Sequence, residues 1–544
     1  MRPEPHRSGS TYGTWRLYLV VGLASAASLA LEIVAGRLLA PELGVSLYTW
    51  TSIIGVVLAG ISLGNYLGGR LADRFPDPST LGLTLLAASG TSFGLLGLVP
   101  VLSDQLDYLP LVPRILALNA GLFFLPSCLL GMVTPVAIKQ ALTNLTAAGS
   151  TVGRIYAVAT AGSILGVYLT GFVLVATLGT RLVVLLVGGV LLALAVLFGQ
   201  LLRARLAAGA LLVPTLAIGG YALQPALREA PCTVETHYYC IKVIHTDLTI
   251  PGAPKTLQLD HLIHGYVAPE NPNLLRYEYT QVFAEAAQDL AQRQPAFQAL
   301  FIGGGAYTVP LHLAVKYPRA TIEVIEIDPG VTTVAYDELG VSPTAGIVTY
   351  NADARMAVQQ LPKKQYDLIF GDAFNDFSVP YHLTTREFTK QLQDLLTDEG
   401  IYLVNVIDKL NGGRFLPAYI HTLQSLFPHV YILGEESYVT GDTEQSVHDL
   451  ERDPRRERGT LVVAGSRQPL DVARFRSHRD GTSRPTTTQL SLGEQAILQR
   501  QGRPVLLTDD YAPVDTLTAP LFTGEEAQWR WTGLVPPSWR RWLR

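Results

Sequence analysis

Seven apolar stretches crowd the first 225 residues, near 16–36, 48–69, 79–102, 115–137, 155–178, 182–202 and 206–224. Each approaches or exceeds the roughly 20 residues that cross about 30 Å of hydrocarbon. A wholly soluble protein is therefore ruled out. The same 225 residues hold 19 charged side chains, against 67 in the 319 that follow, within a chain of 544. The front has the composition of a membrane protein and the back that of a soluble one. The first stretch contains Glu32, ends at Arg37 and lacks a small-residue cleavage site, so it is read as a spanning helix and not as a removed signal. Three cysteines cannot build a disulfide framework. A net charge of −4 argues against nucleic acid as a partner.

Orientation follows from lysine and arginine in the short loops, because these resist translocation. One alternating set of segments holds Arg2, Arg7, Arg16, Arg70, Arg74, Lys139, Arg154, Arg203 and Arg205, and the other holds Arg37, Arg114 and Arg181. The expectation is a multi-pass protein of the cell membrane with its N-terminus in the cytoplasm and the lipid bilayer as its partner. The stretch Gly64–Arg74 resembles the cytoplasmic loop between the second and third helices of major-facilitator transporters, which agrees. Glu32 and Asn65 interrupt apolar runs; a substrate or ion path and ordinary interhelical or interfacial hydrogen bonding both account for them. The small-residue run Gly162–Gly166 fits close helix packing.

After about residue 230 the pattern changes. Tyr238–Val243 and Thr256–Leu262 read as strands, with Pro251-Gly252 as turn chemistry between them. A helix is expected around 275–292. Apolar runs at 298–302, 321–327, 346–350, 366–371, 400–406 and 460–464 then read as buried strands, alternating with helical segments such as 384–397 and 413–426. This implies a doubly wound, mostly parallel sheet. The chain divides on this basis into an all-α transmembrane domain (1–225), a β-rich lead-in (226–270), an α/β Rossmann-like domain of the class I methyltransferase type (271–470) and a C-terminal extension (471–544).

In a doubly wound sheet the ligand crevice opens at the carboxyl ends of the strands. Four features fall there. The first strand runs into Gly303-Gly304-Gly305, where missing side chains let backbone amides approach a ligand. The second ends at Glu326, 21 residues after Gly305, a distance that suits an acid accepting both ribose hydroxyls of a nucleoside. The third leads into Asp353, placed to accept from an adenine amino group. The fourth delivers Asp372 to the reacting centre. Asp353 or Asp372 taken singly is as well explained as a helix N-cap; four such features in register on successive strands are not. No Gly-x-Gly-x-x-Gly and no Walker lysine is present, which disfavours a dinucleotide or triphosphate. An adenosylsulfonium ligand, a cation among acids, fits better.

These residues resemble the spermidine synthase family, whose members move aminopropyl groups from decarboxylated S-adenosylmethionine. The similarity covers about 233–465, and its closest pattern is the branch of that family fused to transporter-like N-terminal helices. It rests on Leu257–Asp260 with Ile263-His264, Leu275–Tyr279, Ile302–Gly305, Glu326–Pro329, Ala352–Ala354 and Tyr366–Phe374. The resemblance implies a co-substrate bound by Gly303, Gly304, Gly305, Glu326 and Asp353. It implies that Asp372 is the catalytic base, with Tyr277, Tyr279, His264 and Asp376 toward a small polyamine. No metal is expected, and a homo-oligomer stays open. Three positions depart from the family pattern. Its Asp-Gly-Gly after the glycines is here Ala306-Tyr307-Thr308, its early Tyr-Gln has Tyr239 for Gln, and the second acid of its Asp-Ser-Ser-Asp is Asn375, with Asp376 one residue late. Loss of acids that select a cationic tail keeps ordinary S-adenosylmethionine and methyl transfer as an alternative, and a non-catalytic nucleoside- or polyamine-binding transporter or sensor as another.

Seven crossings from a cytoplasmic N-terminus place the C-terminal half outside, whereas Pro214 and the short 206–224 stretch leave room for a segment that does not span. Cys232 and Cys240 are eight apart: a disulfide in an oxidising compartment and two thiols in a reducing one are both compatible with the sequence. The acidic turn Thr508–Asp515 is read as a solvated loop or a closure over a polyamine, and the charge-dense 441–458 as an exposed loop. The tail, with Trp529, Trp531, Trp539 and Trp542 among Arg530, Arg540, Arg541 and Arg544, is compatible with the headgroup layer and with a disordered basic tail.

Overall fold

The computed structural model describes residues 14–142, 147–228, 232–245, 253–373, 379–410, 412–434, 458–477, 488–489 and 505–521. The chain forms two compact units, Met1–Cys240 and Ile241–Arg544.

Seven helical spans of the first unit are long and apolar enough to cross a membrane. They are α1 (Thr14–Leu43), α2 (Leu47–Arg74), α3 (Ser79–Gln105), α4 (Leu111–Ala141), a span built of α5 (Ala148–Leu169), a π-helical turn (Thr170–Leu174) and α6 (Val175–Leu178), then α7 (Thr180–Phe198) and α8 (Arg205–Arg228). Each matches one apolar stretch, and all but α7, which stops at Phe198 short of the end of 182–202, extend past it, because helix continues into the polar ends where an apolar window stops. The borderline seventh stretch is continuous helix through Pro214. Glu32 is partly buried and Asn65 is exposed on α2.

Lipid tails give apolar helix faces no reason to seek each other, so small residues that let backbones touch govern association. The run Gly162–Gly166 does this: a β-carbon at Gly162 would lie 2.1 Å from the Gly22 carbonyl oxygen, and one at Gly166 2.4 Å from that of Ala26. On α2, a β-carbon at Gly64 would stand 2.0 Å from the Cys128 carbonyl of α4. Backbone cannot retreat as a side chain can. Gly64→Val is therefore expected to cost at least the roughly 1–3 kcal/mol of an overpacked core, read as a lower melting temperature in detergent; Gly69→Val, where nothing lies within 4 Å, should leave it unchanged.

After α8 come a short strand β1 (Val234–Glu235) and a disulfide between Cys232 and Cys240. Tyr239 is buried in this unit.

The second unit begins with an antiparallel meander of β2 (Cys240–His245), β3 (Lys255–Leu259) and β4 (Leu262–Val267). Helix α9 (Glu278–Arg293) follows. Then β5 (Gln298–Ile302), α10 (Thr308–Lys316), β6 (Thr321–Glu326), α11 (Pro329–Asp337), β7 (Ile347–Asn351), α12 (Ala354–Ala357), β8 (Tyr366–Gly371), α13 (Arg386–Leu395), β9 (Leu396–Lys409), α14 (Phe415–Gln424), β10 (His429–Gly434), β11 (Arg458–Ser466) and β12 (Thr488–Gln489) complete an α/β Rossmann-like sheet. The strand order is β12-β10-β11-β9-β8-β5-β6-β7. β5, β6, β7, β8 and β9 are parallel, while β11 and β10 run antiparallel to their neighbours. The expected mostly parallel sheet is found in β5 to β9, with antiparallel pairing added beyond β9. The run at 460–464 is a strand of opposite sense, and β10 was not anticipated at all.

The apolar runs behave as their burial requires. Leu300, Ile302, Ile325 and Ile369 of the sheet are buried with Phe388, Leu392, Leu416 and Ile420 of α13 and α14, each contributing about 1.5–3 kcal/mol relative to exposure. The strand order reverses between the parallel neighbours β5 and β8, since β6 and β7 lie to one side and β8 and β9 to the other. That switch point is where the loops part and a ligand can enter.

Candidate active site

Gly303 follows β5 directly, and Asp372 follows β8. Both loops are tied at their starts: Asp372 N donates to Ile302 O at the end of β5 at 2.8 Å, and Gly303 N donates to Ile325 O of β6 at 2.9 Å. Gly303 has φ +99°, and a β-carbon there would fall 2.3 Å from the Asp372 carbonyl oxygen. The glycines therefore keep the floor of the crevice open to backbone.

Glu326 ends β6 with its carboxylate under the glycine loop. Its Oε2 accepts from Gly304 N at 2.8 Å and its Oε1 from Asp328 N at 2.9 Å. Burial raises its pKa, and the backbone donors oppose the rise. Tyr307, in the left-handed region at φ +57°, is fully buried behind the loop; its hydroxyl meets Thr332 Oγ1 at 3.1 Å and Thr349 Oγ1 at 3.2 Å. Burial pushes this phenol up to about 12, so it stays a neutral pin for the loop.

Asp353 follows β7 as the N-cap of α12, accepting from Met356 N at 3.2 Å, and its other oxygen lies 3.3 Å from His382 Nε2. The capping geometry is real, yet the second oxygen still points away from the helix toward His382. Next to it, Arg355 donates to His382 O at 2.7 Å and is ion-paired with Asp509 of the acidic turn. That turn is therefore tied to the loop after β7.

Asp372 is held at both oxygens. Tyr279 Oη donates to Oδ2 at 2.8 Å and Asn405 Nδ2 to Oδ1 at 3.0 Å. Withdrawal from water lifts its pKa to about 6, against the two hydrogen bonds, which pull it down. Burial and the Asp372 charge hold the Tyr279 phenol well above its usual value, so it remains the donor. Tyr277 stacks on Tyr279 at 5.8 Å, and its hydroxyl donates to Ile263 O at 3.0 Å. A narrow cleft is lined by His264, Tyr279, Gly303, Gly304, Gly305, Ala306, Thr308 and Asp372. Asp376 and the Trp/Arg tail lie outside the described residues.

The structure thus gathers His264, Tyr279, the three glycines and Asp372 around one cleft, places Glu326 behind the loop and Tyr277 beside Tyr279. Asp353 stands at the end of the next strand. Asn405 was not anticipated. Its signal was a lone amide within the apolar run Ile401–Val406, a buried polar group that had to find a partner.

No family model matches the chain. It is 36% identical over 108 residues to a polyamine aminopropyltransferase of Vibrio vulnificus (20% of this chain, 36% of the relative). It is 24% identical over 235 residues to a probable polyamine aminopropyl transferase of Bifidobacterium longum (43% and 51%). A third relative, an N-terminal histidine N-methyltransferase of Emericella nidulans, is 31% identical over 153 residues (28% and 27%). Among solved structures, a probable spermidine synthase from Corynebacterium glutamicum aligns with TM-score 0.42 and 17% identity over 51% of this chain and 95% of that one. The chain spans about a quarter to a half of the length of these curated relatives. Part of the chain is thus similar in sequence to polyamine aminopropyltransferases and, over another alignment, to a methyltransferase.

Proposed function

We propose that the second unit is an aminopropyltransferase, moving an aminopropyl group from decarboxylated S-adenosylmethionine to putrescine or a similar amine, and that the apolar helices anchor it in a membrane. The observation that carries this reading is Asp372: a carboxylate at the sheet's switch point, beside the glycine loop, oriented by Tyr279 and Asn405 and poised near pH 6. Similarity to polyamine aminopropyltransferases supports it.

The chemistry is an in-line displacement. The amine lone pair attacks the methylene carbon next to the sulfonium, the C–S bond breaks with its electrons going to sulfur, and neutral methylthioadenosine leaves. A protonated amine has no lone pair, so Asp372 accepts a proton and orients the nitrogen. Glu326 would take the ribose hydroxyls, and Asp353 the adenine amino group. Developing charge is small because the cation is already present on sulfur; positioning does most of the work.

One observation favours a second reading. Where a cationic tail would need an acid, the cleft wall offers Ala306 and Thr308, and Asp372 is the one carboxylate among its described lining residues. A donor that keeps its α-carboxylate, and therefore methyl transfer, suits such a wall, as does the similarity to a methyltransferase. Supplying the full-length protein with putrescine and each donor in turn separates the readings. Methylthioadenosine from the decarboxylated donor supports aminopropyl transfer, S-adenosylhomocysteine from the ordinary donor supports methyl transfer, and neither product with tight donor binding supports a binding protein.

A further inference from the structure

We infer that Cys232 and Cys240 are joined on the extracytoplasmic face of the membrane, and that the site downstream of them works outside the cytoplasm. Three independent observations converge on this.

The first is the sorting of helix ends by polar contact. Near one end of the bundle, Arg37 donates to Tyr238 O at 2.7 Å and to Thr236 O at 2.5 Å, Thr180 N donates to Glu235 Oε2 at 2.9 Å, and Arg114 pairs with Asp107 at 2.7 Å. Near the other end, Lys139 pairs with Asp73 at 2.7 Å and Gln140 donates to Pro78 O at 3.4 Å. The segment 232–240 therefore shares its end with the α1–α2 and α6–α7 junctions, opposite the start of α1. Contacts within the first unit establish this without any assumption about sides.

The second is charge. The end away from the disulfide carries Arg16, Arg70, Arg74, Lys139, Arg154, Arg203 and Arg205, and the disulfide end carries Arg37, Arg114 and Arg181. Cations are retained on the cytoplasmic side. Of the smaller set, Arg37 lies 4.0 Å from Glu235 and Arg114 is paired with Asp107, which further weakens its claim to be the retained side.

The third is the disulfide itself. Its formation removes two electrons and two protons from the thiols, taken up by a disulfide-exchanging oxidant of the kind found outside the reducing cytoplasm. Charge and redox chemistry are unrelated, and they select the same face. Between residue 240 and Asp372 no apolar run approaches the length of a span.

Resting on the transferase reading, a consequence follows for the order of reactions. An adenosylsulfonium donor is assembled by ATP-consuming chemistry, which belongs to the cytoplasm. A translocation step must then precede this reaction, and the product amine is released outside.

The test uses full-length protein in sealed membrane vesicles of both orientations. With Cys128→Ser removing the third cysteine, a membrane-impermeant reductant followed by polyethylene glycol maleimide should add two labels in right-side-out vesicles, only after reduction, and none in inverted ones. Cys232 and Cys240 are 8% and 6% exposed, so two surface reporters guard against simple inaccessibility. Tyr108→Cys (79% exposed, disulfide end) should label in right-side-out vesicles and Phe75→Cys (52% exposed, opposite end) in inverted ones. The reverse pattern, or thiols that react without reduction, overturns the inference. Adding decarboxylated donor and putrescine outside right-side-out vesicles separates the two ideas. Methylthioadenosine formed only after permeabilisation refutes the sidedness, whereas none even in detergent refutes the transferase reading and leaves the labelling to decide the side.

Discussion

Asp372→Asn should lower turnover by about two to four orders of magnitude, the usual worth of a general base, while donor affinity stays within a few-fold. An amide keeps the shape of the carboxylate but cannot take a proton from the attacking amine. It also cannot satisfy both neighbours, because Tyr279 and Asn405 are both donors and one amide edge is itself a donor. Donor binding is largely spared because Glu326 and the glycine loop, which would hold the nucleoside, do not depend on that charge. The measurement is single-turnover kinetics beside calorimetric titration; equal losses in both would remove Asp372 from the chemistry. The pH profile carries the same argument. With a pKa of about 6, the base is ionised above that pH, and the rate should fall about tenfold per unit below it. Tyr279→Phe deletes a hydrogen bond that lowers this pKa, so its acidic limb should move to higher pH. Asp408 also sits near 6 through burial, but its oxygens cap α14, accepting from Leu416 N at 2.7 Å, so Asp372→Asn should abolish the limb even with Asp408 intact.

Much of this site was visible in the sequence for a geometric reason. Parallel strands of similar length end level, so Gly303, Glu326, Asp353 and Asp372, each at or within a few residues of the end of an apolar run, had to meet at one edge. Asn405 was invisible because its role comes from register between strands. Gly371 pairs with Val404, which sets Asp372 beside Asn405, and no property of either segment alone specifies that pairing. The antiparallel half of the sheet was illegible for a related reason. A buried strand reads as an apolar run whichever way it points, and the short run of β10, Val430-Tyr431-Ile432-Leu433, closely follows the apolar helix α14, so neither its existence nor its direction stands out. Tyr307 could be seen as a departure from the glycine pattern, but not as the pin that its contacts with Thr332 and Thr349 make it. The disulfide stood undecided in the sequence, since spacing permits a bond without requiring one.

The second large effect concerns the loop and not the base. Gly303→Ala places a methyl group where the Asp372 carbonyl stands, 2.3 Å away, at a φ of +99° that side chains rarely adopt. Two backbones must separate, and one of them carries the catalytic carboxylate. A shift near 1 Å at a reacting group costs about a hundredfold, so kcat/KM should fall at least that far, and donor affinity should fall with it because the amides of the same loop are displaced. Gly305→Ala is the contrast. It also lies at positive φ, +49°, but its nearest neighbour would be His264 O at 3.6 Å. The left-handed conformation alone costs about 1–2 kcal/mol, roughly a tenfold effect or little more. Comparable losses in the two variants would mean that backbone strain, and not the close approach of the β5 and β8 loops, governs the cleft. A loss confined to Gly303→Ala would mean that the base and the nucleoside loop are one mechanical unit, so that binding the donor also fixes where the proton goes.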